Sequence, residues 1–318
     1  MRHLVFILLV LQINPGFGQG VFAPPAGQSG TTAIHQDSAV ITAWASNCSV
    51  VIGPLDIADL TLGLAGFGVA ADATGTANGT VVSLGDNGEA TLEFDGVIYN
   101  GPGFDLAVFE NSFSDDFLEL SFIEVSSDGS SFFRFPATCN LQDTVQVGPF
   151  GTSDATYLNN LAGKYRAQYG TPFDLQELVG IPGLNVNEVT HVRIVDCVGS
   201  IQSEFASYDQ YGHVINDPYP TPFPSGGFDL DAVGVIHFQP LTSISERDQG
   251  LAIYPNPTNR FISVGSSDLL RVDVFDLQGR PVITNAQNRI DCIDLPSGQY
   301  SIKILTRLRT FNQSFIKE

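Results

Sequence analysis

The stretch "GFDLAVFENSFSDD", residues 103–116, decides how the rest of the chain is read. Phe104, Leu106 and Val108 alternate with Asp105 and Ala107, and Glu110, Asn111, Asp115 and Asp116 follow. A period of two is the period of a strand, whose side chains point to opposite faces in turn. A strand that runs straight into acids and amides begins a solvated loop, a carboxylate site or one side of a metal cage.

The same period recurs on both sides. "TVVSLGDNGEATLEFDG" (80–96) reads as two strands around a tight turn at Asp86-Asn87-Gly88, and "LELSFIEVSSDGSSFFRF" (118–135) as a hairpin turning at Asp128-Gly129. In the latter the apolar phase slips from Phe122 to Ile123, which predicts a bulge. "VTHVRIVDCVG" (189–199) and "GGFDLDAVGVIHF" (226–238) are two further strands, and the region 154–181 reads as short helices or an ordered excursion. With Gly 32, Pro 18 and few helical patterns in 318 residues, the chain is predicted to be all-β.

Charge divides the chain. Residues 20–245 hold 26 Asp and Glu against four basic residues, Arg134, Lys164, Arg166 and Arg193. Residues 246–318 hold eight acidic and nine basic ones. A body this acidic repels nucleic acid and anionic membrane, and favours bound cations. The amino terminus, "MRHLVFILLVLQINPGFGQG", has a basic start, an apolar core from Leu4 to Ile13 and small residues at Gly16 and Gly18. It is expected to be a secretory signal peptide, 1–18, cleaved near Gln19; no other stretch is expected to span a bilayer. Cys48, Cys139, Cys197 and Cys292 show no CxxC spacing, which argues against zinc or thiol redox chemistry and leaves bridges and free thiols both open.

A polar break at 241–250 is expected to be a linker between a body, 19–240, and a tail, 251–318. In the tail, Leu270, Val272 and Val274 alternate, as do Tyr300, Ile302 and Ile304, between Gly and Pro turns. That pattern predicts a small immunoglobulin-like β-sandwich. "YPNPT", "VFDLQGRPV" and "LPSGQYSIKI", in this order at the carboxyl end, resemble the C-terminal sorting domain of the type IX secretion system of Bacteroidetes. The resemblance implies export through that machinery to the cell surface or medium. In the body, "SLGDNGEATLEF", "NGPGFDLAVFEN", "EVSSDGSSF", "THVRIVD" and "GGFDLDAVGVI" resemble bacterial extracellular jelly-roll domains similar to galactose-binding-like modules, a subset without assigned activity. The resemblance implies a jelly-roll-type β-sandwich, and the fold alone does not give a function.

In "GGFDLDAV", strand alternation puts Asp229 and Asp231 on one face and Phe228, Leu230 and Ala232 on the other. Paired carboxylates repel unless a cation lies between them. Calcium takes six to eight oxygens from carboxylates, amides and carbonyls, so Asp105, Glu110, Asn111, Asp229 and Asp231 are the candidate ligands of a structural calcium ion. Set against this, such acids also bond loop amides at strand ends, and no EF-hand spacing is present. No nucleophile–base signature appears, so no catalytic residue is assigned; the scattered histidines read as structural. The Tyr- and Pro-rich segment 205–227 is the leading ligand-contact region, with Tyr208, Tyr211 and Tyr219 as sugar-stacking candidates; a cover over the sandwich edge is the alternative. Trp44 reads as core. The expectation is a secreted or cell-surface, non-catalytic binding module for a glycan or other surface ligand. A polysaccharide hydrolase and a structural adhesion protein are the alternatives.

Overall fold

The computed structural model describes residues 21–240, 251–265, 269–307 and 310–318. The expected signal peptide and linker lie outside the described residues. The chain divides into two compact units between residues 241 and 242.

In the first unit the alternating runs form two six-stranded antiparallel sheets. One runs β1 (Ile34–His35), β11 (Tyr169–Phe173), β6 (Leu106–Glu110), β13 (Asp229–Val235), β2 (Ala43–Trp44), with β4 (Val82–Ser83) also on β13. The other runs β14 (Phe238–Pro240), β5 (Glu89–Ile98), β12 (Val189–Asp196), β7 (Ser121–Ser126), β8 (Phe133–Arg134), with β3 (Asn47–Val51) also on β5. A small ladder joins β9 (Thr138–Cys139) to β10 (Leu158–Asn159). Leu106, Val108, Leu230 and Val233 of the first sheet share one core with Leu92, Ile123, Val192 and Ile194 of the second. Two sheets burying their inner faces against each other make a β-sandwich. The outer face of the first sheet is covered too: Ala107, Phe109 and Ala232 pack under Ile34, Ile41 and Trp44. This is why "LAVF" is apolar at every position.

Three local expectations are corrected. The Asp86-Asn87-Gly88 turn, with Asn87 left-handed at φ 56°, carries the chain from β4 in one sheet to β5 in the other rather than closing a hairpin. No bulge interrupts β7, whose pairing with β12 is continuous from Ser121 to Ser126. The slip in apolar phase arises because the strand is buried on both faces, Phe122 facing one apolar cluster and Ile123 the other. The bulge lies instead in β13, where the register against β6 shifts between Leu230 and Ala232. Leu230 therefore faces the inner core while Ala232 faces the outer cluster, not the shared face that simple alternation gives. The expected hairpin at Asp128-Gly129 is present, joining β7 to β8.

The second unit is a smaller antiparallel sandwich. A three-stranded sheet, β15 (Ile253–Tyr254), β16 (Phe261–Val264) and β19 (Arg289–Asp291), accompanies a four-stranded one, β18 (Pro281–Ala286), β17 (Leu269–Phe275), β20 (Gly298–Thr306) and β21 (Thr310–Lys317). Ile262, Val264 and Ile290 pack with Val272, Val274, Tyr300, Ile302, Ile304 and Phe315. Leu270 departs from the expected alternation and is exposed, because the register of β17 shifts between Leu269 and Arg271.

Candidate functional site

Antiparallel pairing gathers particular strand ends. The end of β6 meets the start of β13 at Glu110–Leu230, and the end of β12 meets the start of β7 at Asp196–Ser121. Asp196 joins the two pairs, its carboxylate accepting from Asn87 N at 2.8 Å and from Phe228 N at 2.7 Å. One end of the sandwich thus collects Glu110, Glu119, Asp196, Asp217 and Asp229, all buried. Gly227 lets the chain enter this end: it is left-handed at φ +74°, and a Cβ there would sit 2.7 Å from the backbone of Gly85.

None of the four cations of the body answers these acids. Arg134 and Arg193 pair with Glu124, Arg166 with Asp115 at 3.1 Å, and Lys164 Nζ donates to Leu158 O at 2.7 Å. Burial first, and then neighbouring carboxylates, hold the pKa of Glu110, Glu119 and Asp217 well above the usual range. Burial likewise raises Asp229 to about 6 and Asp196 to about 8.

Hydrogen bonding separates these acids into two groups. Asp196 uses both oxygens, and Asp217 accepts from Leu120 N at 2.6 Å. Glu110 uses Oε2, which accepts from Ser112 N at 2.8 Å, but its Oε1 is buried without a partner. Glu119, 9% exposed, accepts no hydrogen bond from any described residue. Asp229 accepts from Ser83 Oγ and from the Asn111 side chain.

Glu119 and Asp229 open onto a pocket of about 200 Å³. Asn111, Ser112, Thr221 and Ser225 supply polar groups to its lining, and Phe113, Phe117, Phe150 and Phe223 supply aromatic ones. The rings form two stacked pairs, Phe113–Phe117 with centroids 4.6 Å apart and Phe150–Phe223 at 5.7 Å. Phe113 is 74% and Phe150 72% exposed. No basic residue lines this pocket.

The residues expected from the sequence fall in different places. Asp105, at the far end of β6 from Glu110, accepts from Gly101 N at 2.8 Å, Leu175 N at 2.7 Å and His237 Nδ1 at 2.6 Å. Asp231 accepts from Asn78 N at 3.0 Å and Gly79 N at 3.1 Å. Asp229 and Asp231 thus occupy separate environments, contrary to the shared one that alternation suggests, because the β13 bulge intervenes. Glu110, Asn111 and Asp229 do come together. Among the described residues, no three Asp, Glu, His or Cys side chains converge closely enough to hold a metal ion. Tyr208 and Tyr211 are exposed, whereas Tyr219 is buried and donates to Asp56 Oδ1 at 2.7 Å, which removes it from any open sugar platform. Segment 205–227 does reach the pocket, through Thr221, Phe223 and Ser225. Glu119 and the phenylalanines were missed by sequence reasoning; "NSFSDDF" (111–117), with two aromatics among polar residues, could have pointed to Phe113 and Phe117, whereas nothing in the sequence singles out Glu119. All four cysteines are free thiols, and no helix among the described residues is long and apolar enough to cross a membrane.

Comparison with known proteins gives one informative result. No curated protein matches the chain. A solved structure titled "Biofilm associated protein - BSP domain" is 11% identical, over 86% of this chain and 52% of its own length, with a TM-score of 0.18. The chain spans about half the length of that structure, and a likeness this remote carries no argument. Residues 252–318, however, match the family model described as "Secretion system C-terminal sorting domain". The chain therefore ends in a sorting domain of the kind that marks secreted and cell-surface proteins.

Proposed function

We propose that the first unit is a non-catalytic binding module, exported through the type IX machinery by its tail and displayed at the cell surface, and that its ligand is a glycan. The aromatic-rimmed pocket between Glu119 and Asp229 carries this reading. Sugar rings offer C–H faces that stack on aromatics and hydroxyls that bond amide, hydroxyl and carboxylate groups, and the lining provides both kinds. The expected likeness to galactose-binding-like modules agrees with it. A glycan array probed with the full chain tests the proposal; binding to no glycan would sink it.

A hydrolase is the second reading. Glu119 and Asp229 are two carboxyls on one pocket, and burial raises the pKa of both, as a general acid requires. Release of new reducing ends from an array-positive glycan would establish it. A structural calcium ion is the alternative occupant of the acidic end, supported by the orphaned Glu110 Oε1 beside Asp229 and Asn111. A melting temperature lowered by a chelator and restored by calcium would place it there.

A further inference from the structure

We infer that the pocket selects a positively charged sugar: an amino-sugar unit with a free primary ammonium, as in de-N-acetylated glucosamine polymers. The inference rests on the glycan-binding reading above and names the class of glycan. Three observations on the pocket converge on it.

The first is unanswered acceptor capacity. Glu119 lines the pocket with only 9% of its surface exposed, and its carboxylate, which accepts no hydrogen bond from any described residue, opens into the pocket. Glu110, which pairs with Leu230 next to Asp229 but does not itself line the pocket, has its Oε1 buried without a donor. Carboxylates crowded together with no cation among them are costly to keep ionised. A primary ammonium brings three N–H donors and one positive charge to Glu119 and Asp229, the two that line the pocket. A quaternary ammonium brings the charge without donors, and a neutral hydroxyl brings a donor without the charge.

The second is spacing. Glu119 and Asp229 line one pocket and Glu110 pairs with Leu230 beside Asp229, yet among the described residues no three acids converge as a point ion requires. Calcium needs its oxygens within about 2.3–2.6 Å of one centre. Carboxylates spread around a molecule-sized space suit an organic cation better than a bare ion.

The third is the rim. Two stacked phenylalanine pairs stand at the mouth, two of their rings largely in water. Exposed aromatic patches on a soluble surface mark contact sites. Aromatic faces attract cations as well as sugar C–H faces, while Ser112, Thr221 and Ser225 supply hydroxyl partners on the wall. A lysine side chain shares the ammonium but offers no ring face and no hydroxyls. The 26 acids of the body add long-range attraction for a cationic polymer, weakened by salt.

The test titrates the full chain with glucosamine tetramer, N-acetylglucosamine tetramer, Nα-acetyl-lysine amide and calcium chloride by calorimetry. The free-amine tetramer is expected to bind, and full N-acetylation to weaken it about tenfold or more, the scale of one charged hydrogen bond. Glu119→Gln, which keeps size and shape, is expected to cost a similar factor, and Phe150→Ala a few-fold. Far-ultraviolet circular dichroism and melting curves show that each variant is folded. Equal binding of the N-acetylated tetramer, equal binding of the lysine amide, or indifference to Glu119→Gln would each overturn the inference. So would calcium binding that the free-amine tetramer cannot displace. A neutral glycan bound on the array without the free-amine tetramer sinks this inference and leaves the binding module standing; an array with no ligand at all sinks both.

Discussion

Asp105 immediately precedes the five-residue strand β6 and Glu110 ends it, and the protein treats them in opposite ways. Asp105 meets two backbone amides and a histidine. Glu110 meets only the amides next to it in sequence, its Oε1 is left without a partner, and the charges acting on it are those of further acids. Both are buried carboxylates beside a short strand, and the sequence makes them equivalent. The difference teaches how to separate a structural acid from a binding one. Where every acceptor is met, the acid holds loops together; where acceptors are left over in a region without cations, the fold carries an electrostatic cost that a bound cation would relieve.

The largest effect expected from this contrast comes from Asp105→Ala. It strands the amides of Gly101 and Leu175 and the His237 ring, and is expected to cost about 3 kcal/mol or more in urea unfolding, on the scale of breaking a buried charged network. A change below about 1 kcal/mol would erase the contrast. Asp231→Ala belongs to the same class, since the amides of Asn78 and Gly79 depend on it, and is expected to cost about 2 kcal/mol.

Next in size is the response to pH. Folded, Asp229 holds its proton up to about pH 6 and Asp196 up to about pH 8, whereas unfolded aspartates release theirs near pH 4. The folded state therefore binds more protons between about pH 4 and 8. Stability is full below that window and is lost as the pH rises through it, by about 2 kcal/mol or more. Melting temperature in metal-free buffer is expected to fall from pH 4 to pH 8, and Asp229→Asn to flatten the slope. A melting temperature that rises across the window would contradict the account of the acidic end.

Glu110→Gln is expected to behave opposite to Asp105→Ala. Without ligand it removes a buried carboxyl that ionises only at a cost, so stability changes by less than about 1 kcal/mol or improves. The smallest effect is expected at the rim. Phe113→Ser exposes no core and is expected to move stability by at most about 0.5 kcal/mol, while weakening glycan binding. A large loss of stability would make Phe113 a packing residue.

Much of the architecture was legible because strand period and turn chemistry are local. The alternation at 80–96, 189–199 and 226–238 marked strands, the Asp128-Gly129 turn a hairpin, and Tyr300, Ile302 and Ile304 one buried face of the tail. Less local features were not. The β13 bulge, which parts Asp229 from Asp231, depends on how β13 pairs with β6. In the site, Glu110, Asn111 and Asp229 could be named as neighbours because both strand ends carry acids. Glu119 gave no signal, since its importance lies in which donors fail to reach it.

By itself the sequence determined the address and the material: a sorting tail, an all-β chain, and a body with 26 acids and four bases that is bound to have carboxylates without partners. Tertiary structure alone decided which acids those are. Backbone amides reach Asp105, Asp231 and Asp196 from loops as many as 153 residues away in sequence, and only the folded chain brings donor and acceptor together. Whether a buried charge is satisfied is a property of that meeting, and no single residue encodes it.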